Sequence, residues 1–270
     1  MGLKLHPDAE KFRAYMVFNR APSTVYNYSR NVSRFLVWVD KPLDEIEPHD
    51  VTDWYKSLEE DGLAPRSIWR FGWALRAFFD TMGMKELELR TPIMAYEVPD
   101  PLWLDKSQTM GVIAGVPVLC VGYALALRVG EVRFLSRRRF DQDTGQIEVK
   151  RLKHKGRRNT YILELEPWCL EILNKHLAET EGPRHGDAMF KMSVSTIQSR
   201  FNDRAAALGL DPKYSFHCLR HSKVTHLALR ELEENGVVDE LSLSKFAGHL
   251  RVETTRMYVH LAARHLAFKA

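Results

Sequence analysis

The chain has 270 residues, of which 45% are apolar and 27% charged, a balance typical of a soluble globular protein. The formal net charge of +4 is only mildly basic, so the total charge alone is weak evidence for a nucleic-acid partner. Cys120, Cys169 and Cys218 are far apart and have no metal-ligand spacing, which excludes a disulfide scaffold or a zinc site and indicates reduced thiols in the cytosol.

The first 95 residues carry about equal numbers of acidic and basic side chains and have the apolar spacing of short helices. Helices are predicted from Pro22 onwards, from about His49 to Glu60, and from Pro65 to near Gly83. No segment here has the alternating pattern of a strand. The sequence therefore predicts a compact domain of four to five helices over residues 1–92.

A proline-bearing segment follows, and we predict a linker over residues 93–104 and a second domain over residues 105–270. Met110 to Leu127 is uncharged for eighteen residues, which is close to the length of a membrane span. Pro117 and three glycines interrupt this stretch, and Arg128 follows it directly. Two buried helices that meet near Pro117 fit these features better than a membrane span.

Two short strands are predicted at Ile147–Val149 and Thr160–Leu163, on either side of a basic hairpin tip, Lys153–Arg158. Helical patterns fill the remainder, at Pro167–Ala178, Val194–Leu208, His217–Glu231 and 261–268. The predicted fold class is mostly α with a small β-hairpin, in two domains.

The last sixty residues concentrate groups that suit a phosphodiester. Ser215 is predicted to cap a helix on which His217 and Arg220, three residues apart, share one face. An imidazole can move a proton, and a guanidinium can hold two phosphate oxygens at once. Taken singly, these residues could equally be a histidine near a helix start and a surface arginine.

His249 follows a glycine and lies nine residues before Tyr258, with a Thr-Thr pair between them. The pattern H-x-x-R, then G-H, then T-T-x-x-Y resembles the tyrosine recombinase family, which includes phage integrases and Xer-type enzymes. The resemblance covers residues 115–260 strongly. It implies a helical, SAM-like DNA-binding domain followed by an α+β catalytic domain with a C-terminal tail.

Three further features match the family's pattern. Arg128 is similar to the first arginine of the family, and Glu131, one helical turn later, could hold it by an ion pair. The basic hairpin tip resembles the turn that carries the family's active-site lysine, with Lys155 the first choice and Lys153 the second. His221 directly follows Arg220, and we assign it a structural role off the shared helix face.

The resemblance implies attack by Tyr258 on a DNA phosphodiester, which leaves a 3′-phosphotyrosine and a free 5′-hydroxyl without metal, ATP or another cofactor. Arg128, Arg220 and His249 would stabilise the negative charge of the transition state. Lys155 would give a proton to the leaving oxygen, and His217 would take or share the tyrosine proton.

The expected partners are double-stranded DNA and further copies of the chain, as a tetramer on paired sites in the cytoplasm at the nucleoid, with no membrane. Basic side chains are predicted to follow the DNA backbone: Lys150, Arg151, Arg157 and Arg158 near the hairpin, and Arg66 and Arg70 on an N-terminal helix. A solvated basic surface is the alternative for each.

Two other functions remain open from the residues. A type IB topoisomerase-like enzyme, which nicks and recloses DNA, would use the same tyrosine chemistry. A DNA-binding protein without recombination activity is the second. A metal-dependent nuclease is not favoured, because the sequence has no clustered carboxylates near its histidines.

Overall fold

A computed structural model describes residues 4–85, 87, 99–151, 160–180 and 187–269. The chain divides into two compact units, Met1–Val98 and Pro99–Ala270. Leu104, the last residue of the predicted linker, is buried in the core of the second unit. The exact limits of the two domains and of the linker stay predictions.

The described part of the first unit contains four α-helices: α1 (Pro7–Met16), α2 (Pro22–Val39), α3 (Pro48–Glu60) and α4 (Pro65–Thr81). Each begins with a proline, which has the backbone angle of a helix and lacks an N–H that the first turn could not use. Their inner faces form one aromatic-rich core, in which Phe35 packs edge-on against Trp54 and Phe79.

The second unit begins with three short helices, α5 (Lys106–Ile113), α6 (Pro117–Ala124) and α7 (Val129–Arg133). Every residue of α6 from Val118 to Ala124 is buried, as expected of a helix that is apolar on all sides. The uncharged stretch therefore spans the end of α5 and all of α6, which are separated before Pro117, and only α6 is buried almost throughout, since Met110 of α5 is 40% exposed. Among the described helices, none has both the length and the apolar composition to cross a membrane.

The hairpin consists of β1 (Gln146–Lys150) and β2 (Thr160–Glu164), which pair antiparallel with Lys150 opposite Thr160. This confirms the predicted fold class, mostly α with a small β-hairpin. The basic hairpin tip lies outside the described residues. Ile147 and Val149 point into the core because alternate residues of a strand face the same side.

The remaining helices are α8 (Pro167–Glu179), α9 (Val194–Ala207), α10 (His217–Asn235), α11 (Glu240–Ala247) and α12 (Glu253–Lys269). The sequence predicted α10 four residues too short and α12 as a short segment without Tyr258, and it missed α11. The cap of α10 also differs, because Phe216 and not Ser215 is the N-cap residue. Phe216 is buried against Gly122, where a Cβ atom would lie 2.5 Å from its ring. Ring packing therefore sets the start of this helix.

Two apolar clusters support the second unit. The larger surrounds α6 and includes all of its buried residues except Gly122. The smaller joins α10, α11 and α12, and it holds Tyr258 among Val224, Ala228, Leu243 and Ala247. The three cysteines are free and buried.

Candidate active site

Arg128 stands immediately before α7, and Glu131 closes the first turn back onto it. The backbone N–H of Arg128 donates to Oε2 of Glu131, and its Nη1 donates to Oε1, both over 2.9 Å. The Glu131 side chain is fully buried, whereas about a quarter of the Arg128 side chain stays exposed. The ion pair predicted between these two residues is therefore present, and it fixes the direction of the Arg128 guanidinium.

Arg151 corrects a prediction. It was expected to contact DNA phosphates, yet it is 0% exposed and its guanidinium is used inside the protein. Nη1 donates to Oε2 of Glu131 over 3.1 Å, and Nη2 donates to the carbonyl of Phe246 over 2.7 Å. The strand period could have revealed this, because residue 151 follows Ile147 and Val149 on the inward side.

Glu131 thus holds two arginines with one buried carboxylate. Burial alone would raise the pKa of Glu131, but the charge of Arg151 and the hydrogen bonds from Arg128 outweigh burial and lower it. Burial also lowers the pKa of Arg151, and Glu131 opposes that effect. Glu131 is therefore a carboxylate at neutral pH, and it neutralises part of a dense positive field.

Arg220 lies on α10 and is 1% exposed. Its Nη1 donates over 2.7 Å to the carbonyl of Ala126, a buried residue with a left-handed φ of +48°. Nη2 of Arg220 is buried and has no hydrogen-bond partner in the described part of the chain. Burial, reinforced by the charges of Arg128 and Arg151, lowers the pKa of Arg220 to about 10. Arg220 is still cationic at neutral pH, so the charges of three arginines act on one another.

Tyr258 lies on α12 and is 2% exposed. Burial raises the pKa of its phenol, and the charges of Arg220 and Arg128 partly oppose that rise. These two charges act on the phenol because α10, the start of α7 and α12 meet at this point. The phenol is therefore neutral at pH 7, within the field of two guanidinium groups.

His249 follows Gly248, which ends α11 in the left-handed conformation. Its ring stacks on that of Tyr258 with centroids 5.6 Å apart and an interplanar angle of 11°, and its Nδ1 bonds to Oγ1 of Thr255 over 2.8 Å. Burial and the charge of Arg220 lower the pKa of His249 to about 3. A neutral imidazole thus lies flat against the phenol.

His221 is the residue that the sequence analysis misjudged. Its Nδ1 lies 2.6 Å from the hydroxyl of Tyr258, and the two rings stack at 28°. His217 is exposed, and its ring lies edge-on to that of His221 with centroids 4.4 Å apart. The helical period could have revealed this, because residues four apart, such as His217 and His221, share a helix face.

The other predicted site residues are placed as follows. Lys153, Lys155, Arg157 and Arg158 lie outside the described residues, and Lys150 is exposed at the end of β1. Arg66 and Arg70 are exposed on α4 in the first unit. Within the described ranges, no three His, Cys, Asp or Glu side chains are grouped so that they could hold a metal ion.

The second unit therefore joins a phenol, two neutral imidazoles and two guanidiniums from four separate segments. Guanidiniums stabilise anionic oxygens, and neutral imidazoles exchange hydrogen bonds with a phenol without adding charge. This combination suits nucleophilic attack by the phenol on an anionic ester.

Comparison with known proteins gives a consistent result. The sequence model described as the phage integrase family matches residues 110–265, and the model described as the N-terminal SAM-like domain of phage integrases matches residues 9–89. Tyrosine recombinase XerC of Escherichia coli O127:H6 (strain E2348/69 / EPEC) is 26% identical over 288 residues, covering 97% of this chain and 94% of that protein.

Solved structures with the same fold include two DNA complexes. The XerH site-specific recombinase bound to a palindromic difH substrate, a post-cleavage complex, has a TM-score of 0.73 at 16% identity, covering 96% of this chain and 82% of that one. A lambda integrase (75-356) dimer bound to a COC′ core site has a TM-score of 0.68 at 16% identity, covering 92% and 96%. The predicted combination of a SAM-like domain and a catalytic domain is thereby confirmed.

Proposed function

Because the chain belongs to the phage integrase family, we propose that it is a site-specific DNA recombinase that breaks and rejoins DNA strands through Tyr258. The observation that carries this proposal is the meeting of Tyr258 with Arg128, Arg220 and His249 in one buried, positively charged site. The XerC relatives are named tyrosine recombinases, which supports the same reaction class.

In the proposed reaction, the oxygen of Tyr258 attacks the phosphorus, and the 5′-oxygen of the next nucleotide leaves. Arg128 and Arg220 hold the two non-bridging oxygens, and His249 donates a further hydrogen bond to them. The buried Nη2 of Arg220 lacks a hydrogen-bond partner among the described residues, and a phosphate oxygen would supply one.

The remaining predicted residues transfer the protons of this step. Lys155, or Lys153 in its place, protonates the leaving 5′-oxygen, and His217 takes or shares the proton that Tyr258 loses. The product is a 3′-phosphotyrosine, and attack on it by a 5′-hydroxyl from another strand reseals the backbone. Two such exchanges between paired sites, held in a tetramer, pass through a Holliday junction.

The site must open before a DNA phosphodiester can react in it. Tyr258 and Arg220 are almost fully buried, so a phosphodiester reaches them only after the surrounding helices have moved apart. We expect the DNA backbone to be held by exposed basic residues, among them Lys150, Arg66 and Arg70.

The decisive test is a covalent capture. The protein is incubated in EDTA with a library of nicked duplexes of randomised sequence, and SDS-resistant protein–DNA adducts are isolated and sequenced. The wild-type chain should form an adduct and select one sequence, and Tyr258→Phe should form none. Tyr123→Phe, which removes another buried hydroxyl from the same unit, should react like the wild type.

Two outcomes would overturn the proposal: no adduct on any member of the library, or an undiminished adduct with Tyr258→Phe. The captured sequence then separates the recombinase from the topoisomerase-like alternative. A recombinase exchanges strands between two copies of that sequence placed on plasmids. A topoisomerase-like enzyme relaxes a supercoiled plasmid that does not contain the sequence.

A further inference from the structure

The Tyr258 hydroxyl has a partner that the proposed reaction does not use. Nδ1 of His221 lies 2.6 Å from Oη of Tyr258, a short distance for a hydrogen bond between nitrogen and oxygen. The imidazole stacks on the Tyr258 ring and lies edge-on to the His217 ring. This contact therefore holds the phenol oxygen in one place.

The direction of this hydrogen bond depends on the charge and on the tautomer of the imidazole. Burial, reinforced by the charges of His217, Arg220 and His249, lowers the pKa of His221 to about 3, so the ring is neutral at pH 7. A neutral imidazole has one nitrogen that accepts and one that donates. The phenol carries its proton, and it can donate that proton to Nδ1 if the hydrogen of His221 is on Nε2.

His249 does not replace His221 in this role. Its Nδ1 is already bonded to Thr255, and its ring lies nearly parallel to the phenol, with the two faces stacked. A stacked ring confines the plane of the phenol but leaves the direction of the O–H bond open. The two histidines therefore constrain different degrees of freedom of Tyr258.

We propose that His221 is a positioning residue for the nucleophile: it accepts the hydrogen bond of the Tyr258 hydroxyl and fixes its direction while the proton stays on the phenol. This inference rests on the proposed function, since it assigns Tyr258 as the nucleophile. His221 itself touches neither the phosphate nor the leaving oxygen in the proposed reaction.

A role as the final proton acceptor does not fit the same site. Burial raises the pKa of the phenol and lowers that of the imidazole to about 3, so proton transfer from Tyr258 to His221 is unfavourable. His221 orients the proton, and another group must remove it when the phosphate is bound.

The first test uses a pair of variants and the captured target sequence. His221→Asn keeps an acceptor, because Oδ1 of asparagine and Nδ1 of histidine are both one bond from Cγ. His221→Leu fills a similar volume without an acceptor. We expect His221→Leu to slow single-turnover adduct formation by about 10- to 100-fold, a range typical of a misplaced reacting group, and His221→Asn to slow it far less.

A packing role would predict the opposite order, because leucine fills a buried apolar site better than asparagine does. Binding to intact duplex, measured by gel shift, should be the same for both variants. Equal losses, or a larger loss with His221→Asn, would overturn the positioning role. If the wild type forms the adduct in the same experiment, the proposed function holds, and such a result counts only against the role of His221.

The second test needs no DNA. The whole chain is labelled with ¹⁵N-histidine, and the signal of His221 is identified by its loss in His221→Asn. We expect the Nε2–H tautomer, no titration between pH 5 and 8, and a shift of the Nδ1 resonance in Tyr258→Phe. A proton on Nδ1, or an Nδ1 resonance that does not move in Tyr258→Phe, would show that His221 does not accept this hydrogen bond. That conclusion would hold whether or not the protein forms the DNA adduct.

Discussion

At the residue scale, the feature that organises the site is the shared carboxylate of Glu131. One buried anion accepts hydrogen bonds from Arg128 and from Nη1 of Arg151, and Nη2 of Arg151 donates to the carbonyl of Phe246. A buried charge that loses its partner is strongly destabilising, because desolvation is then uncompensated. The positive field of the site therefore depends on a residue that does not itself face the substrate.

Replacing Glu131 with glutamine should lower the free energy of unfolding by about 3 kcal/mol, since it leaves the buried Arg151 and the partly exposed Arg128 without their counter-charge. Urea denaturation of the whole chain measures this loss. The matched control is Glu148→Gln, which breaks a more exposed pair with Arg139 and should cost no more than about 1 kcal/mol. Equal losses in the two variants would contradict the shared-carboxylate argument.

The pH dependence of that loss has a definite sign. The pKa of Glu131 is lower in the folded chain than its ordinary value of 4.5, so its contribution is complete above that value and disappears as the pH falls through the folded pKa. The difference in stability between wild type and Glu131→Gln should thus be constant from pH 8 to 6 and shrink below pH 4.5. Urea denaturation curves of the wild type and of Glu131→Gln at these pH values measure this difference.

At the element scale, the turn after α11 sets the position of His249. Gly248 has a φ of +64°, and a Cβ atom there would lie 2.6 Å from Nε of Arg151. The turn needs glycine for two independent reasons, the left-handed backbone and the close approach of a buried guanidinium. Strand β1, which ends beside Arg151, is thereby packed against the segment that carries His249.

Gly248→Ala should destabilise the chain by about 2–3 kcal/mol, because the new methyl group forces Arg151 to move in addition to straining the turn. Gly236→Ala is the matched control, since Gly236 ends α10 with a φ of +73° and has nothing within 4 Å of a built Cβ. That control should cost only about 1 kcal/mol, the backbone contribution alone.

Adduct formation provides the second measurement for this pair. Gly248→Ala should slow it, because His249 shifts with the turn, and Gly236→Ala should leave it unchanged. If both alanine variants had the same effect on stability and on adduct formation, Arg151 could move away from the new methyl group at no measurable cost in free energy. That result would contradict the argument from close packing.

At the scale of the whole molecule, we expect the two units to differ in their response to acid. Burial lowers the pKa of three histidines of the second unit, His221 and His249 to about 3 and His226 to about 4. Below pH 6.5 these histidines are protonated in the unfolded chain but stay neutral in the folded chain. The free energy of unfolding therefore falls as the pH falls. Each histidine contributes a loss of roughly 1 kcal/mol per pH unit in that window.

Hydrogen exchange followed by mass spectrometry, peptide by peptide on the whole chain, tests this difference. Between pH 7.5 and 5.5, after correction for the intrinsic exchange rate, protection should fall in peptides of Pro99–Ala270 before it falls in peptides of the first unit. His226→Asn keeps a hydrogen-bonding group near the Tyr123 hydroxyl and removes one titrating group, so it should reduce the loss. Earlier loss in the first unit would contradict the assignment.

The sequence by itself determined the class of fold and most of the candidate site. Proline starts and apolar spacing located α2, α3 and α4 to within one or two residues at the ends that were predicted, but they did not locate α1. The motifs that resemble the tyrosine recombinase family singled out Arg128, Arg220, His249 and Tyr258, and the structure brings these four side chains together. These signals are local, and each can be read within a window of a dozen residues.

Only the tertiary structure decided which charged groups are inside. Arg151 looked like part of a basic hairpin, yet Glu131, twenty residues earlier, and Phe246, nearly a hundred residues later, bury it. The partner of the Tyr258 hydroxyl was also decided there, since His221 lies 37 residues away along the chain. The strand period can indicate that residue 151 faces inward, but the partners that bury a side chain depend on which distant segments meet.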